Sequence, residues 1–170
     1  MEQVIYALFD GTNDIEPYKQ MQEWELSNGD KFNFIDGLDL YNQLDKVSDD
    51  ILKAQVKERM NLADIYVLIV NKTTKSYRRF IRWQVEHAIN SGIPLIAINA
   101  NGIRSVDYDR IPTVLKKNIA IHIAFQAKIL EYAIQNWPSS FREYQAKEIK
   151  NSFKYSEEVY NQLGLETFDV

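Results

Sequence analysis

The chain has 170 residues, a formal net charge of −4 at pH 7 and no cysteine. This length suits one domain, and the absence of cysteine excludes disulfides, thiolate metal sites and cysteine nucleophiles. The acidic balance predicts no nucleic-acid or anionic-membrane partner. The sequence before the first strand lacks the features of a signal peptide, and no apolar run approaches the ~20 residues of a membrane span, so we expect a cytoplasmic protein.

Short apolar runs alternate with helical patterns along the chain. Apolar runs bounded by turn residues predict buried strands, and apolar residues at intervals of three and four predict helices with one buried face. In chain order the predicted elements are strand 4–9, helix 14–26, strand 32–35, helix 48–62, strand 65–70, helix 75–90, strand 95–98, strand 118–124 and helix 126–137. Five strands interspersed with helices predict an α/β protein whose doubly wound parallel sheet is covered on both faces.

Two polar connections and a C-terminal segment complete the chain. Residues 36–50 and 99–114 form connections longer than usual, and long ordered loops are often functional. Pro138 marks the predicted end of an α/β domain over residues 1–137. Residues 138–170 are too aromatic for a disordered tail, and we expect them to fold as helices packed against the same domain.

The carboxyl ends of the predicted strands are where an open α/β sheet binds its ligands. Asp10 and Asp14 follow the first strand, although turn formation and helix capping explain them equally well. Arg79 lies near the start of the third predicted helix, where a cation favours a bound pyrophosphate, and a solvated basic face is the alternative. We therefore expect a ligand cleft bounded by the loop after Phe9, residues 36–50 and the start of that helix.

Several segments resemble those of bacterial TIR-like domains, a family that includes the NAD-processing subunit of Thoeris antiphage systems. The resemblance is carried by YALFD at 6–10, ADIYVLIV at 63–70, FIRWQV at 80–85, IPLIAI at 93–98 and YSEEVY at 155–160. It implies a flavodoxin-like TIR fold with a helical C-terminal extension, and NAD as a substrate, with no resident cofactor or metal. It also implies cleavage of the bond between nicotinamide and ribose, which yields an ADP-ribose-derived signal for a separate effector, and it leaves a homo-oligomer open.

Position 84 departs from the family pattern. Active relatives carry glutamate at the position that matches Gln84, because a carboxylate stabilises the positive charge that develops on the ribose as nicotinamide leaves. An amide supplies no such charge, so the resemblance implies that this chain is inactive or impaired as an NAD-cleaving enzyme. Gln84 is then either an engineered substitution in an otherwise active protein or a natural feature of a catalytically silent one. With Gln84 as the catalytic position, the candidate substrate-binding residues are Phe9, Asp10, Asp14, Arg79 and Trp83.

Two other interpretations remain open. A non-catalytic interaction module would use the same surface for assembly and would need no carboxylate at position 84. A nucleoside deoxyribosyltransferase-like enzyme shares the sheet topology but needs a nucleophile that Gln84 does not provide. For Phe9 and Trp83, burial in the hydrophobic core is the simpler interpretation of an aromatic side chain. His87 and His122 lack a partner motif, and we expect both to be structural residues with satisfied hydrogen bonds.

Overall fold

A computed structural model describes residues 3–27 and 32–165, and its centre is a parallel β-sheet. The strands are β1 Val4–Leu8, β2 Asn33–Ile35, β3 Ile65–Val70, β4 Leu95–Asn99, β5 Ala120–Ala124 and β6 Ser152–Lys154. The helices are α1 Ile15–Ser27, α2 Leu38–Tyr41, α3 Asp49–Met60, α4 Arg79–Ser91, α5 Ala127–Ala146 and α6 Glu157–Gln162, with 3₁₀ turns at Thr74–Ser76 and Thr113–Lys117. The strand order β2-β1-β3-β4-β5-β6, with every pair parallel, confirms the predicted doubly wound α/β fold.

The local sequence accounts for the central elements. All six residues of β3 are buried, as expected of an apolar strand covered on both faces, and β3 pairs with β1 on one side and β4 on the other. The Ser48 side chain caps α3 by accepting the Ile51 N–H at 3.3 Å. Gly92 ends α4 with a φ of 71°, a left-handed conformation that costs glycine little. Because β1, β3 and β4 are parallel, the loops that follow them lie at one edge of the sheet.

The number of strands differs from the prediction. The sheet has six strands because Ser152–Lys154 pairs in parallel with β5, in the register Ala120↔Ser152 and His122↔Lys154. The expectation of five strands was therefore wrong. The C-terminal extension, expected to be helical, contains β6 in addition to the end of α5 and to α6. A strand of three residues carries no measurable alternation, so its position is set by the neighbouring strand and not by its own pattern.

Helix α5 continues past its predicted end. It spans Ala127–Ala146 with Pro138 inside it, so the boundary predicted after residue 137 falls within a continuous helix. Proline removes the N–H that would bond the carbonyl of Ile134, which normally ends or kinks a helix. Packing compensates, since Trp137 is buried and its Nε1 donates to the Leu95 carbonyl at 2.9 Å. No helix in residues 3–27 and 32–165 combines the length and the apolar composition that crossing a membrane requires.

The two histidines have different surroundings. His87 Nε2 lies 2.8 Å from Asn61 Oδ1, so this side chain has a partner. His122 lies in β5 with no exposed surface, and neither ring nitrogen has a hydrogen-bond partner within the described residues. The expectation of a satisfied histidine was wrong for His122. Burial without a partner lowers its pKa to about 4, because the charged imidazolium is poorly solvated there.

Candidate functional site

Gln84 lies in α4 and connects this helix to the carboxyl end of β1. Its side chain has no exposed surface. The amide Nε2 donates to the carbonyl of Phe9 at 3.0 Å and to the carbonyl of Phe80 at 3.1 Å. Its Oε1 accepts the Phe9 N–H at 3.4 Å. The side chain therefore joins the first residue after β1 to the helix that follows β3, and it is not the surface glutamine that an amphipathic helix alone would suggest.

The environment of this side chain suits an amide. Two backbone carbonyls face Nε2 and accept its hydrogen bonds, which an ionised carboxylate could not donate. Glutamate at position 84 would place its second oxygen against the carbonyls of Phe9 and Phe80 in a buried site. Burying an unpaired charge is costly, so such a residue would be held protonated or would require this site to open.

Aromatic rings surround the end of β1. The Phe9 ring lies 4.4 Å from the ring of Tyr18, 5.8 Å from that of Phe80 and 6.3 Å from that of Tyr41, measured between centroids. Tyr41 also packs against the backbone of the β1 loop, since a Cβ atom added at Gly11 would lie 2.3 Å from its ring. The predicted cleft walls thus meet, but the space between them is filled by Tyr41.

Residues 36–50, which we call the cover segment, close this region. The Tyr41 hydroxyl contacts the Thr12 hydroxyl, and Tyr18 donates to Asp36 Oδ1 at 2.6 Å. Arg59 forms two bonds to Asp39, at 2.9 and 3.1 Å. The ion pair lies at the surface, where such a pair contributes at most about 1 kcal/mol. Leu40 is buried in the hydrophobic core, so the cover segment is held over the site by apolar packing together with these polar contacts.

Arg79, the predicted anion-binding residue, lies at the start of α4 and takes part in the same closure. Its guanidinium bonds to Asp45 and, at 3.2 Å, to Asp49, and its side chain is 33% exposed. The neighbouring carboxylates raise its pKa further above its ordinary value. Both partners belong to the cover segment, so carboxylates of that segment engage Arg79 in this structure, and a ligand role for it stays a prediction.

The two aspartates hold the loop after β1. Asp10 is 5% exposed and accepts from the Thr12 N–H and from Asn13 Nδ2, both at 3.1 Å. Asp14 has no exposed surface and accepts the Asp10 N–H at 2.6 Å through Oδ2. Burial raises the pKa of Asp14 to about 6, because the carboxylate form is poorly solvated. Both carboxyl groups have a structural explanation, and a ligand role for them stays a prediction.

Trp83 is buried beside the site. It is 5% exposed, and its ring lies 6.5 Å from the ring of Phe80 in an edge-on contact. Phe9 has no exposed surface, so both aromatic side chains belong to the core in this structure. The structure thus groups Gln84 with Phe9, with Trp83 near them through Phe80. The two aspartates instead hold the β1 loop, and Asp10 also accepts from Thr73 in the loop after β3.

Sequence reasoning missed the residues that close the site. Tyr18 and Tyr41 enclose Phe9, and neither was a candidate. One available signal was the length of the polar connection 36–50, in which Tyr41 is an isolated aromatic residue next to Leu40. An aromatic residue in a polar loop often anchors that loop against the domain.

A metal-binding cluster is absent from the part of the chain that the structure describes. Among these residues, no group of three or more histidine, aspartate or glutamate side chains is arranged to hold a metal ion. A groove of about 640 Å³ lies at the amino edge of the sheet, beside Leu95 and Ile119, and Ala88 of α4 also lines it. Ligands of open α/β sheets bind at the opposite, carboxyl edge.

Comparison with known families identifies the family of this chain. A family model described as "Thoeris protein ThsB, TIR-like domain" matches residues 6–105. The match runs from β1 to the loop after β4 and includes Gln84 and the cover segment. A search of curated proteins finds no match.

Proposed function

Because this chain belongs to the TIR-like domain family of the Thoeris protein ThsB, we propose that it serves in antiphage defence by binding NAD or an ADP-ribose-derived nucleotide at the Gln84 site. With glutamate at position 84, the same site would cleave the bond between nicotinamide and ribose. The ADP-ribosyl product would then act as a signal for a separate effector. With Gln84, the chain recognises the nucleotide and turns it over poorly.

The position of Gln84 carries this proposal. Its side chain reaches the backbone of Phe9 at the carboxyl end of β1, the sheet edge at which α/β folds bind their ligands. Departure of nicotinamide leaves positive charge on the ribose, and a carboxylate at this point would stabilise that charge in the transition state. An amide of the same size keeps a hydrogen bond to a ribose hydroxyl but loses the charge, so catalysis suffers more than binding.

Ligand entry requires the cover segment to move. Tyr41 fills the space between Gly11 and Phe80, and Gln84 has no exposed surface while Tyr41 is in place. The contacts of Arg79 with Asp45 and Asp49 are surface ion pairs of small individual value. A ligand phosphate that takes over Arg79 would replace these pairs, so binding and opening would be coupled.

The second candidate is a non-catalytic interaction module. One observation favours it: the Gln84 amide donates to the carbonyls of both Phe9 and Phe80, as expected if glutamine is the native residue of a site that never holds a carboxylate. The nucleoside deoxyribosyltransferase alternative has no comparable support, because it needs a nucleophile that Gln84 does not provide.

Nicotinamide release tests the proposal. Purified Gln84→Glu protein should release nicotinamide from NAD on the order of 100- to 1000-fold faster than the chain with Gln84. Glu86→Gln, a charge change at an exposed position of the same helix, is the control and should behave like the unmodified chain. Equal, negligible rates for all three folded proteins, together with no calorimetric binding of ADP-ribose by the unmodified chain, would favour the interaction module.

A further inference from the structure

A groove of about 500 Å³ opens at the carboxyl edge of the sheet, away from Gln84. Asn13 follows β1, Asn71 follows β3, Asn101 follows β4 and Phe125 follows β5, and all four line it. The residues that enclose Gln84 do not take part in this lining. From β1 the chain crosses to β2 on one side, and from β3 it crosses to β4 on the other side. The groove lies at this change of direction, a position that favours ligand binding in α/β folds. Its volume falls within the ~300–1,000 Å³ typical of small-molecule sites.

Arg110 supplies a cation to this groove. Its side chain is 32% exposed, and its Nε lies 3.5 Å from Asp107 Oδ2, a long contact. In the part of the chain that the structure describes, no hydrogen bond engages its two terminal nitrogens. A guanidinium held at one edge and free at the other presents a planar pair of donors that matches two phosphate oxygens.

Phe125 supplies an aromatic wall to the same groove. Its half-buried ring packs on Trp24, with a centroid distance of 4.7 Å and an angle of 44° between the planes. This contact supports one side of the ring. A supported and partly exposed aromatic face is suited to stacking of a nucleobase, whichever base is present.

Side-chain amides of Asn13 and Asn71 form a further part of the groove lining. Asn71 Nδ2 donates to the Asn13 carbonyl at 3.1 Å, and Asn13 Nδ2 donates to Asp10 Oδ2 at 3.1 Å. The loops after β1 and β3 are therefore tied to each other. Such preorganisation lowers the entropic cost of ligand binding. Glu16 is the opposing feature, since this exposed carboxylate in the first turn of α1 repels an anion in the groove.

We propose that this groove is a second nucleotide site, in which the base of a mononucleotide stacks on Phe125 and its phosphate is bound by Arg110. The proposal depends on neither Gln84 nor cleavage of NAD. It requires binding alone, so no bond is made or broken in this site.

Calorimetric titration of the unmodified chain with AMP tests this inference. AMP should bind, and adenosine should bind about tenfold more weakly because the contact with Arg110 is missing. Arg110→Gln should abolish the difference between AMP and adenosine. Phe125→Leu should weaken both ligands by about tenfold, because it removes the stacking surface. Glu16→Gln should strengthen AMP by about twofold, through loss of an exposed like charge.

Two matched variants serve as controls. Arg142→Gln removes an exposed arginine from α5, and Phe34→Leu shortens a half-buried aromatic residue in β2; both should bind AMP like the unmodified chain. Urea unfolding of each variant separates lost binding from lost folding. The proposal would be overturned if neither AMP nor adenosine binds at about 10 mM. It would also be overturned if AMP binds and Arg110→Gln leaves that binding unchanged in a folded protein. Neither outcome bears on nicotinamide release by Gln84→Glu, so the two sites are tested separately.

Discussion

Asp14 and His122 should give the folded protein opposite responses to pH. Burial raises the pKa of Asp14 from 3.8 to about 6, so the folded state favours the neutral acid. This contribution to stability is complete below pH 3.8 and is lost as the pH rises through 6. Burial lowers the pKa of His122 from 6.5 to about 4, so the folded state favours the neutral imidazole. That contribution is complete above pH 6.5 and is lost as the pH falls through 4.

The expected size of each effect follows from the gap between the folded and ordinary pKa values. For both groups the gap corresponds to roughly 3 kcal/mol in the free energy of unfolding, at about 1.36 kcal/mol for each pH unit. The two effects have opposite signs and overlap between about pH 4 and pH 6. The unmodified chain should therefore show little net pH dependence from this pair, although each group alone is strongly pH-dependent.

Single substitutions should reveal how the unfolding free energy contributed by each group depends on pH. The assay is urea unfolding at several pH values between 4 and 6.5, read as the difference in unfolding free energy between variant and unmodified chain, which cancels groups common to both. For His122→Leu this difference should become more unfavourable by roughly 3 kcal/mol as the pH rises from 4 to 6.5, because the benefit of His122 is missing. For Asp14→Asn it should become more favourable by a similar amount between pH 4 and 6.

An exposed residue without an ionisable group provides the control. Gln55→Ala changes no titrating group and should give a difference that is independent of pH in this range. Differences for Asp14→Asn and His122→Leu that are as flat as that of Gln55→Ala would refute the reasoning. Such a result would mean that water reaches both side chains in the folded protein.

Three further predictions concern the cover segment and the sheet. Arg79→Gln should speed amide hydrogen exchange in residues 36–50 by a few-fold, because two surface ion pairs are lost, while exchange in β4 stays unchanged. Gly11→Ala should destabilise the protein by about 1–3 kcal/mol in urea unfolding, since the added methyl group overlaps Tyr41, and a variant as stable as the parent would contradict this close approach. Trp137→Phe should cost about 1–3 kcal/mol because the Leu95 carbonyl loses its donor, with Phe141→Leu as a comparison that breaks no hydrogen bond.

The sequence predicted the elements whose pattern is long and regular. β3 is a run of six apolar residues between turn residues, and α4 ends at a glycine followed closely by a proline, so local chemistry specifies both. β6 and the second half of α5 depend on contacts with distant residues. Ser152–Lys154 becomes a strand because β5 offers a free edge, and Pro138 stays helical because Trp137 is anchored on β4.

The sequence contains a signal that predicts the burial of Gln84. Phe80, Gln84 and Ala88 are spaced by four residues and therefore lie on one face of α4, and all three are buried. A polar residue between two apolar neighbours at this spacing points into the protein and needs buried partners. The identity of those partners could not be predicted, because the carbonyl of Phe9 is 75 residues away in the chain.

The arrangement of carboxyl groups near β1 bears on what the chain can do with glutamine at position 84. Cleavage of NAD needs a negative charge next to the ribose, and the two carboxyl groups that follow β1 belong to Asp10 and Asp14. The Asp10 oxygens accept from Thr12, Asn13 and Thr73, and Asp14 is bonded to the Asp10 amide, so both groups hold the loops after β1 and β3. In the hydrogen bonds of the described residues, Gln84 meets the backbone of Phe9 and Phe80 and no carboxylate. A nucleotide that displaced Tyr41 would therefore find a hydrogen-bonding amide but no anion, which favours recognition over turnover in this chain.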